Sequence, residues 1–331
     1  MVRNRLGRMF SYRHRVTAHD LPLHHAFTGK PMTIVVSGSN GVIGSALVPF
    51  LTTGGHRVIR LVRSTKPSRE PTAYWDPSGG TIDTSALDGS DAVVHLAGEG
   101  VAEGRWTQEK KQRIRGSRVD GTRLLCEALQ RLPHPPTVLV CASAVGYYGN
   151  RGDEPLTEDS PRGKGFLADV CEAWEAATKP AAEQGIRVVN LRIGVVLTPA
   201  GGALGTMLRP FKLGIGGTLG SGRQHMSWIA MDDLIGTIYH AIITDTLDGP
   251  VNAVAPSALT NADFTRILAQ VLHRPSLLPV PAFVLRLLFG ELTDEGLLAS
   301  TRVTPRKLLQ SGYVFQYPDL EGTLRHLLGR I

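Results

Sequence analysis

Cysteine is scarce in this 331-residue chain: Cys126, Cys141 and Cys171 are odd in number and far apart. That pattern supports neither a disulfide scaffold nor a Cys-rich zinc site, and a reducing, cytoplasmic setting is the simplest home. Long apolar runs are also missing. The longest, Leu277 to Phe289, is interrupted by Pro279, Pro281 and Arg286, whereas a membrane span needs about 20 apolar residues. Glycine is common, at 37 residues, but has no collagen-like period. The 42% hydrophobic and 20% charged content excludes disorder of the whole chain. At about 100–200 residues per domain, two domains or one large domain with an appendage fit this length.

Acid is nearly absent from the first thirty residues. Arg3, Arg5, Arg8, Arg13, Arg15 and Lys30 face only Asp20, so this stretch carries +5 of the net +7. It also holds His14, His19, His24 and His25, and it lacks the apolar segment of a secretory signal. The plainer reading of residues 1–31 is a loosely docked or poorly ordered basic arm. A nucleic-acid or membrane-surface arm is the sharper one, but no aromatic repeat supports it. Neither nucleic acid nor membrane is an expected partner. The His24–His25 pair has no nearby carboxylate, and no metal site is assigned.

The rest of the chain starts with chemistry. Thr33-Ile-Val-Val-Ser37 reads as a buried strand and runs into Gly38-Ser39-Asn40-Gly41-Val42-Ile43-Gly44. A helix over Val42–Leu51 and a second strand over Arg57–Arg63 follow. Strand, glycine turn, helix and strand within about thirty residues form a dinucleotide-binding unit. Gly38 allows the tight turn, Gly41 the approach of a pyrophosphate, and Gly44 close packing of helix on sheet. The helix N-terminus offers free N–H groups to phosphates. At the end of the second strand an NAD site wants Asp or Glu for the ribose hydroxyls. Here Arg63-Ser64 stands instead, with no acid until Glu70. Arg63 can pair with a 2′-phosphate, so NADP is the expected cofactor.

Asp91-Ala-Val-Val-His-Leu96-Ala97-Gly98 is a further strand with a small-residue end, followed by Glu99. Trp106–Leu132 has helical periodicity, and its charged face includes Arg118. Val138–Ser143 is the next strand, ending in Ser143-Ala-Val-Gly-Tyr147-Tyr148-Gly149, and Pro155-Leu-Thr-Glu158-Asp-Ser-Pro161 follows. With the Gly-x-x-Gly-x-x-Gly spacing, these stretches resemble the extended short-chain dehydrogenase/reductases. The resemblance implies a Rossmann-type, doubly wound parallel sheet of the α/β class. It also implies cofactor contacts from Leu96, Ala97, Gly98, Glu99 and Arg118, and a catalytic Ser143 at the strand end.

That family's chemistry rests on Tyr-x-x-x-Lys in the next helix. Aligned on Trp174-Glu175, this chain has Leu167 and Cys171 at those two places. Leu has no proton, and a neutral thiol is a poor stand-in for an ammonium. The departure resembles an atypical NAD(P)-dependent epimerase/dehydratase-like subgroup with a C-terminal domain of unknown function. Leu191–Leu197, Gly214–Gly217, Trp228–Asp233, Val254–Asn261 and Pro305–Gly312 carry the same likeness. Phe10–Arg15 resembles a linker that follows a ligand-binding domain in some relatives.

Tyr147 and Tyr148 are the candidates for the missing acid, with Ser143 to orient a carbonyl or hydroxyl; Lys164 and Cys171 are weaker ones. One tyrosine packing while the other lines the pocket is an equal alternative. Arg187–Leu197 reads as one strand whose Arg192, Ile193, Gly194 and Val195 line the site by resemblance. A Gly-rich segment, 199–228, reads as a substrate loop in which Arg223, His225 and Trp228 could grip a ligand. Asp232 and Asp233 read as the acidic start of a helix over Leu234–Ile243. The expected organisation is an arm (1–31), an NADP-binding domain (32–250) and a smaller mixed α/β lobe capping the substrate (251–331). A small, nucleotide-sugar-like substrate and an NADP-dependent oxidoreductase or epimerase-like activity follow. A non-catalytic NADP-binding or redox-sensing protein is the alternative, and an oligomer is compatible with either.

Overall fold

The computed structural model describes residues 2–25, 29–64 and 70–330. Its strands are β1 (Thr33–Ser37), β2 (Arg57–Val62), β3 (Thr72–Asp76), β4 (Thr81–Ile82), β5 (Ala92–His95), β6 (Val138–Ala144), β7 (Pro155–Leu156), β8 (Arg187–Ile193), β9 (Val195–Leu197), β10 (His225–Met226), β11 (Trp228–Ala230), β12 (Gly249–Ala253), β13 (Leu259–Thr260) and β14 (Arg302–Val303). Its helices are α1 (Val2–His25), α2 (Gly44–Thr53), α3 (Gln108–Gln130), α4 (Phe166–Ala176), α5 (Lys179–Glu183), α6 (Gly202–Lys212), α7 (Met231–Ile243), α8 (Asn261–Leu272), α9 (Ala282–Phe289), α10 (Arg306–Gln310) and α11 (Leu320–Leu327).

Eight strands form one sheet in the order β12-β8-β6-β5-β1-β2-β3-β4. All neighbours are parallel except β3 and β4. The Val- and Ile-rich β1, β5 and β6 are almost wholly buried, as strands covered on both faces must be. Strand order reverses between β1 and β5. The β1→β2 and β5→β6 crossovers run in opposite directions, so right-handed connections put α2 and α3 on opposite faces. The reversal opens a crevice at the carboxyl ends of β1 and β5, where ligands of such sheets bind.

A second apolar core lies beyond the sheet. Phe211, Trp228, Phe264, Leu268 and Leu324 join α6, α8 and α11. Trp228 is therefore a core residue: it is fully buried and its indole N–H donates to Ser257 O at 3.0 Å. This corrects its assignment to a ligand-gripping cluster. The expected single strand over Arg187–Leu197 breaks at Gly194. Beyond it the chain leaves the main sheet, and β9 pairs with β11. The helix expected from Leu234 begins at Met231, so Asp232 and Asp233 lie inside its first turn. Asp233 is not a surface charge there. Its buried carboxylate accepts the Gln316 and Tyr317 N–H groups at 2.8 and 2.9 Å, and burial raises its pKa to about 6.

The basic arm is helical and docked. Tyr12 stacks on His326, His19 Nδ1 meets the Tyr317 hydroxyl at 3.0 Å, and His24 stacks on Phe50 with centroids 4.3 Å apart. The side chains of Arg3, Arg5 and Arg8 lie outside the described residues. No helix among the described residues is long and apolar enough to cross a membrane. Those residues also contain no group of three or more His, Cys, Asp or Glu placed to hold a metal.

Candidate functional site

The glycine turn is built by exclusion of side chains. Gly38 has φ of +68°, a region that favours glycine. A Cβ there would lie 2.8 Å from Ala97 N and Leu96 C, so the ends of β1 and β5 touch. A Cβ at Gly44 would lie 2.3 Å from Gly38 O, so α2 could not start so close to the turn. Asn40, Gly41 and Val42 are exposed, whereas Ser39 is buried. Ile43, at the helix N-cap, gives no side-chain cap to the first N–H groups of α2. The β1–β2 register pairs Ser37 with Leu61, which brings Arg63 and Ser64 to the same edge. Arg63 is exposed there, with Asp76 in its electrostatic reach. The expected substrate loop comes back over the turn: a Cβ at Gly201 would lie 3.2 Å from a Val42 methyl.

Past β5, the backbone of Gly98 and Glu99 is held by α3. Ser117 Oγ accepts the Glu99 N–H at 3.0 Å, and Arg118 Nη1 donates to Glu99 O at 2.9 Å. The Glu99 carboxylate accepts from Lys110 Nζ at 2.9 Å. That bond is the main reason its pKa lies below the usual carboxylate range.

The ends of β6 and β8 carry a buried polar cluster. Ser143 Oγ donates to Glu175 Oε1 at 2.7 Å. Arg192 meets the same carboxylate with Nε and Nη2, both at 2.8 Å. Its Nη1 donates to the Tyr148 hydroxyl at 3.0 Å, and that hydroxyl donates to Asn252 Oδ1 at 2.7 Å. Bidentate geometry and extra hydrogen bonds are what a desolvated ion pair requires. Burial opposes the Arg192 charge, but the Glu175 bonds outweigh it and raise its pKa.

The two candidate tyrosines therefore differ. Tyr148 has no exposed surface, and burial pushes its pKa up to about 12. Its hydroxyl is committed to Arg192 and Asn252, which fits the packing alternative. Tyr147 is half-buried and lays its ring 3.4 Å from the Arg192 guanidinium carbon. Ser143 is buried, with its hydroxyl donating to Glu175. Leu167 and Cys171 face the same turn: a Cβ at Gly146 would lie 3.3 Å from Leu167 Cβ and 3.8 Å from Cys171 Sγ. Burial raises the Cys171 thiol to about 12, so it is neither an ammonium substitute nor a ready nucleophile. Lys164 is exposed. Ile193 is buried at the end of β8.

Glu158 joins this cluster, its Oε1 accepting the Asn252 N–H at 3.1 Å, and no motif in the sequence gives a role to Glu175, Glu158 or Asn252. The missed signal is Arg192 itself: a guanidinium within the buried run Asn190-Leu191-Arg192-Ile193 demands a carboxylate partner.

A family model described as NAD dependent epimerase/dehydratase matches residues 34–252. The chain belongs to that family. A second model, a domain of unknown function, matches residues 280–327, as the resemblance anticipates. Epimerase family protein Mb2239 of Mycobacterium bovis is 43% identical over 297 residues, covering 90% of this chain and 98% of that protein. The human Epimerase family protein SDR39U1 is 37% identical, covering 90% of this chain and 100% of that one. A crystal structure of that human protein (isoform2) with NADPH superposes with a TM-score of 0.82 at 36% identity, covering 89% and 99% of the two chains. A nucleoside-diphosphate sugar epimerase from Corynebacterium glutamicum gives 0.82 at 39% identity. It covers 97% of this chain, but the present chain spans only 64% of that longer one. The Rossmann-type α/β fold is thus shared with epimerase-family structures, and the family is NAD(P)-binding.

Proposed function

We propose that this epimerase-family member is an NADP-dependent oxidoreductase or epimerase-like enzyme acting on a small, nucleotide-sugar-like substrate. The observation that carries the cofactor choice is the end of β2, where exposed Arg63 and Ser64 stand at the edge of the glycine turn and no carboxylate follows until Glu70. The cradle fits a dinucleotide: Gly38 and Gly44 leave no room for side chains, and the start of α2 is uncapped. Gly38 to Gly44, Leu96 to Glu99, Arg118 and Ile193 would line the cofactor. Arg63 and Ser64 would meet its 2′-phosphate. When bound, the nicotinamide supplies the hydride donor or acceptor. Tyr147, stacked on Arg192, is the tyrosine that can donate a proton to a carbonyl beside it. Ser143 and Glu175 hold Arg192 in register beneath that ring.

Titration followed by NADPH fluorescence tests the cofactor. NADPH is expected to bind about tenfold or more tighter than NADH, the scale of one charge-assisted pair. Arg63→Ala narrows the gap. Equal binding of both nucleotides by the wild type would overturn the 2′-phosphate assignment.

One set of observations favours a non-catalytic, NADP-sensing role instead: Leu167, Cys171 and buried Tyr148 leave a single tyrosine at the edge. A panel of carbonyl substrates with NADPH separates the two readings. Turnover that collapses in Tyr147→Phe supports the enzyme, and no turnover on any carbonyl favours the sensor.

A further inference from the structure

Single apolar side chains on a surface are ordinary, but a cluster of large ones calls for a partner. One such cluster lies where two segments run side by side. The chain after α6 and the chain before α9 are tied together by three bonds. Val280 N donates to Thr218 O at 2.8 Å, Gly220 N to Val280 O at 2.9 Å, and Arg274 Nε to Lys212 O at 3.0 Å. The approach is so close that a Cβ on Gly217 would run into Leu278 O. Leu213 and Ile215 stand out from the first segment, and Leu277 and Leu278 from the second; Leu213 is 75% and Leu277 84% exposed. Then α9 begins. Leu285 is its buried anchor, whereas Phe283 and Leu287, one turn apart and so on one face, are each 70% exposed. The second core already takes Phe211 and Leu272 from these stretches. The fold thus uses some of their apolar side chains and leaves the others outside.

The charge around this surface has one sign. No Asp or Glu occurs between Glu183 and Asp232, nor between Asp263 and Glu291. Arg209, Lys212 and Arg274 are exposed in these stretches, and no carboxylate pairs with them among the described residues. Arg266 and Arg286, by contrast, are matched by Asp263 and Asp294. Apolar side chains set among unneutralised cations fit a surface that is apolar within and anionic at its face. A second copy of the chain fits less well, because symmetric pairing through this patch brings two rims of like charge together. Protein partners also favour Tyr, Trp and Met at the centre of a patch, and here the exposed residues are Leu and Ile with one Phe. The absence of a membrane-spanning helix does not bear on a surface contact, and the basic arm is a separate part of the molecule.

We propose that this surface docks on a membrane leaflet containing anionic lipid. Leu277, Leu278 and the outer face of α9 enter the headgroup layer, and Arg209, Lys212 and Arg274 meet lipid phosphates. The inference does not depend on which nucleotide the glycine turn holds.

The test is co-sedimentation of the full chain with two kinds of vesicle. One is phosphatidylcholine alone, and the other contains about one-third phosphatidylglycerol. The wild type is expected to bind the mixed vesicles about tenfold or more tighter than the neutral ones, and to be released by high salt. Leu277→Ser with Leu278→Ser should weaken binding about tenfold or more, since two leucines no longer enter the layer. Arg209→Gln with Lys212→Gln should cost about fivefold per charge and reduce the salt dependence. All four side chains are exposed, so the urea midpoint and NADPH affinity of both variants are expected to match the wild type. Equal binding to the two kinds of vesicle overturns the proposal, as does binding that both double variants retain in full. Binding that disappears on deletion of residues 1–30 would move the contact to α1 and overturn it too. If the wild type ignores vesicles but forms dimers in light scattering that the leucine variant loses, the surface joins two copies and the lipid assignment falls.

Discussion

At the residue scale, the buried polar groups divide into those that hold the fold and those that face a ligand. Tyr148 belongs to the first kind. Tyr148→Phe leaves Arg192 Nη1 and Asn252 Oδ1 each short of a partner, and should cost about 1–3 kcal/mol in urea unfolding. Tyr147→Phe removes a hydroxyl with no protein partner among the described residues. It should leave the midpoint nearly unchanged while abolishing any turnover, so comparing the two variants separates packing from catalysis. His95 makes a pH prediction. It is fully buried, with Nδ1 2.6 Å from Ser37 Oγ, and burial lowers its pKa to about 4. The unfolded chain takes up that proton near pH 6.5, and the native state resists it down to about 4. His95 thus favours the fold fully above pH 6.5, and that contribution is lost as pH falls toward 4. Between pH 7 and 5 the wild type should lose about 2 kcal/mol more than His95→Asn, measured by urea denaturation at both pH values.

At the element scale, α1 shows how a stretch of basic charge becomes structure. Its composition reads as a loose arm because Arg and His are hydrophilic and no apolar run stands out. The partners that dock it come from distant parts of the chain: Phe50 in α2, Tyr239 in α7, and Tyr317 and His326 at the C-terminal end. It packs near the C-terminal end of α2, where a Cβ on Gly54 would meet the His24 ring, and so at the end away from the glycine turn. Deleting residues 1–30 should lower the melting temperature by several degrees, because Phe50 and Tyr239 lose their cover. NADPH affinity should stay within about twofold, the range of a change remote from the site. A large loss of affinity would show that α1 acts on the cofactor site.

At the scale of the whole molecule, polar contacts tie the segments around α3 and α4 to the chain around and after α9. Arg105 Nη2 donates to Leu287 O at 2.8 Å and Lys111 pairs with Glu291 at 2.5 Å. Glu295 accepts the Leu167 N–H at 3.1 Å, capping the helix that carries Leu167 and Cys171. None of these pairs is adjacent in sequence. The sequence by itself determined what depends on local order: the β1–glycine turn–α2–β2 unit, the Arg63-Ser64 end of β2, and the absence of Tyr-x-x-x-Lys. Turns, helix starts and strand composition are set by neighbouring residues, so their chemistry is written in spacing. Only the tertiary structure decided which of two adjacent tyrosines is buried. It also decided that Ser143 and Arg192 share Glu175, and that Trp228 is core. Those outcomes depend on which strand lies beside which, and on where desolvation leaves a charge to find its partner across the fold.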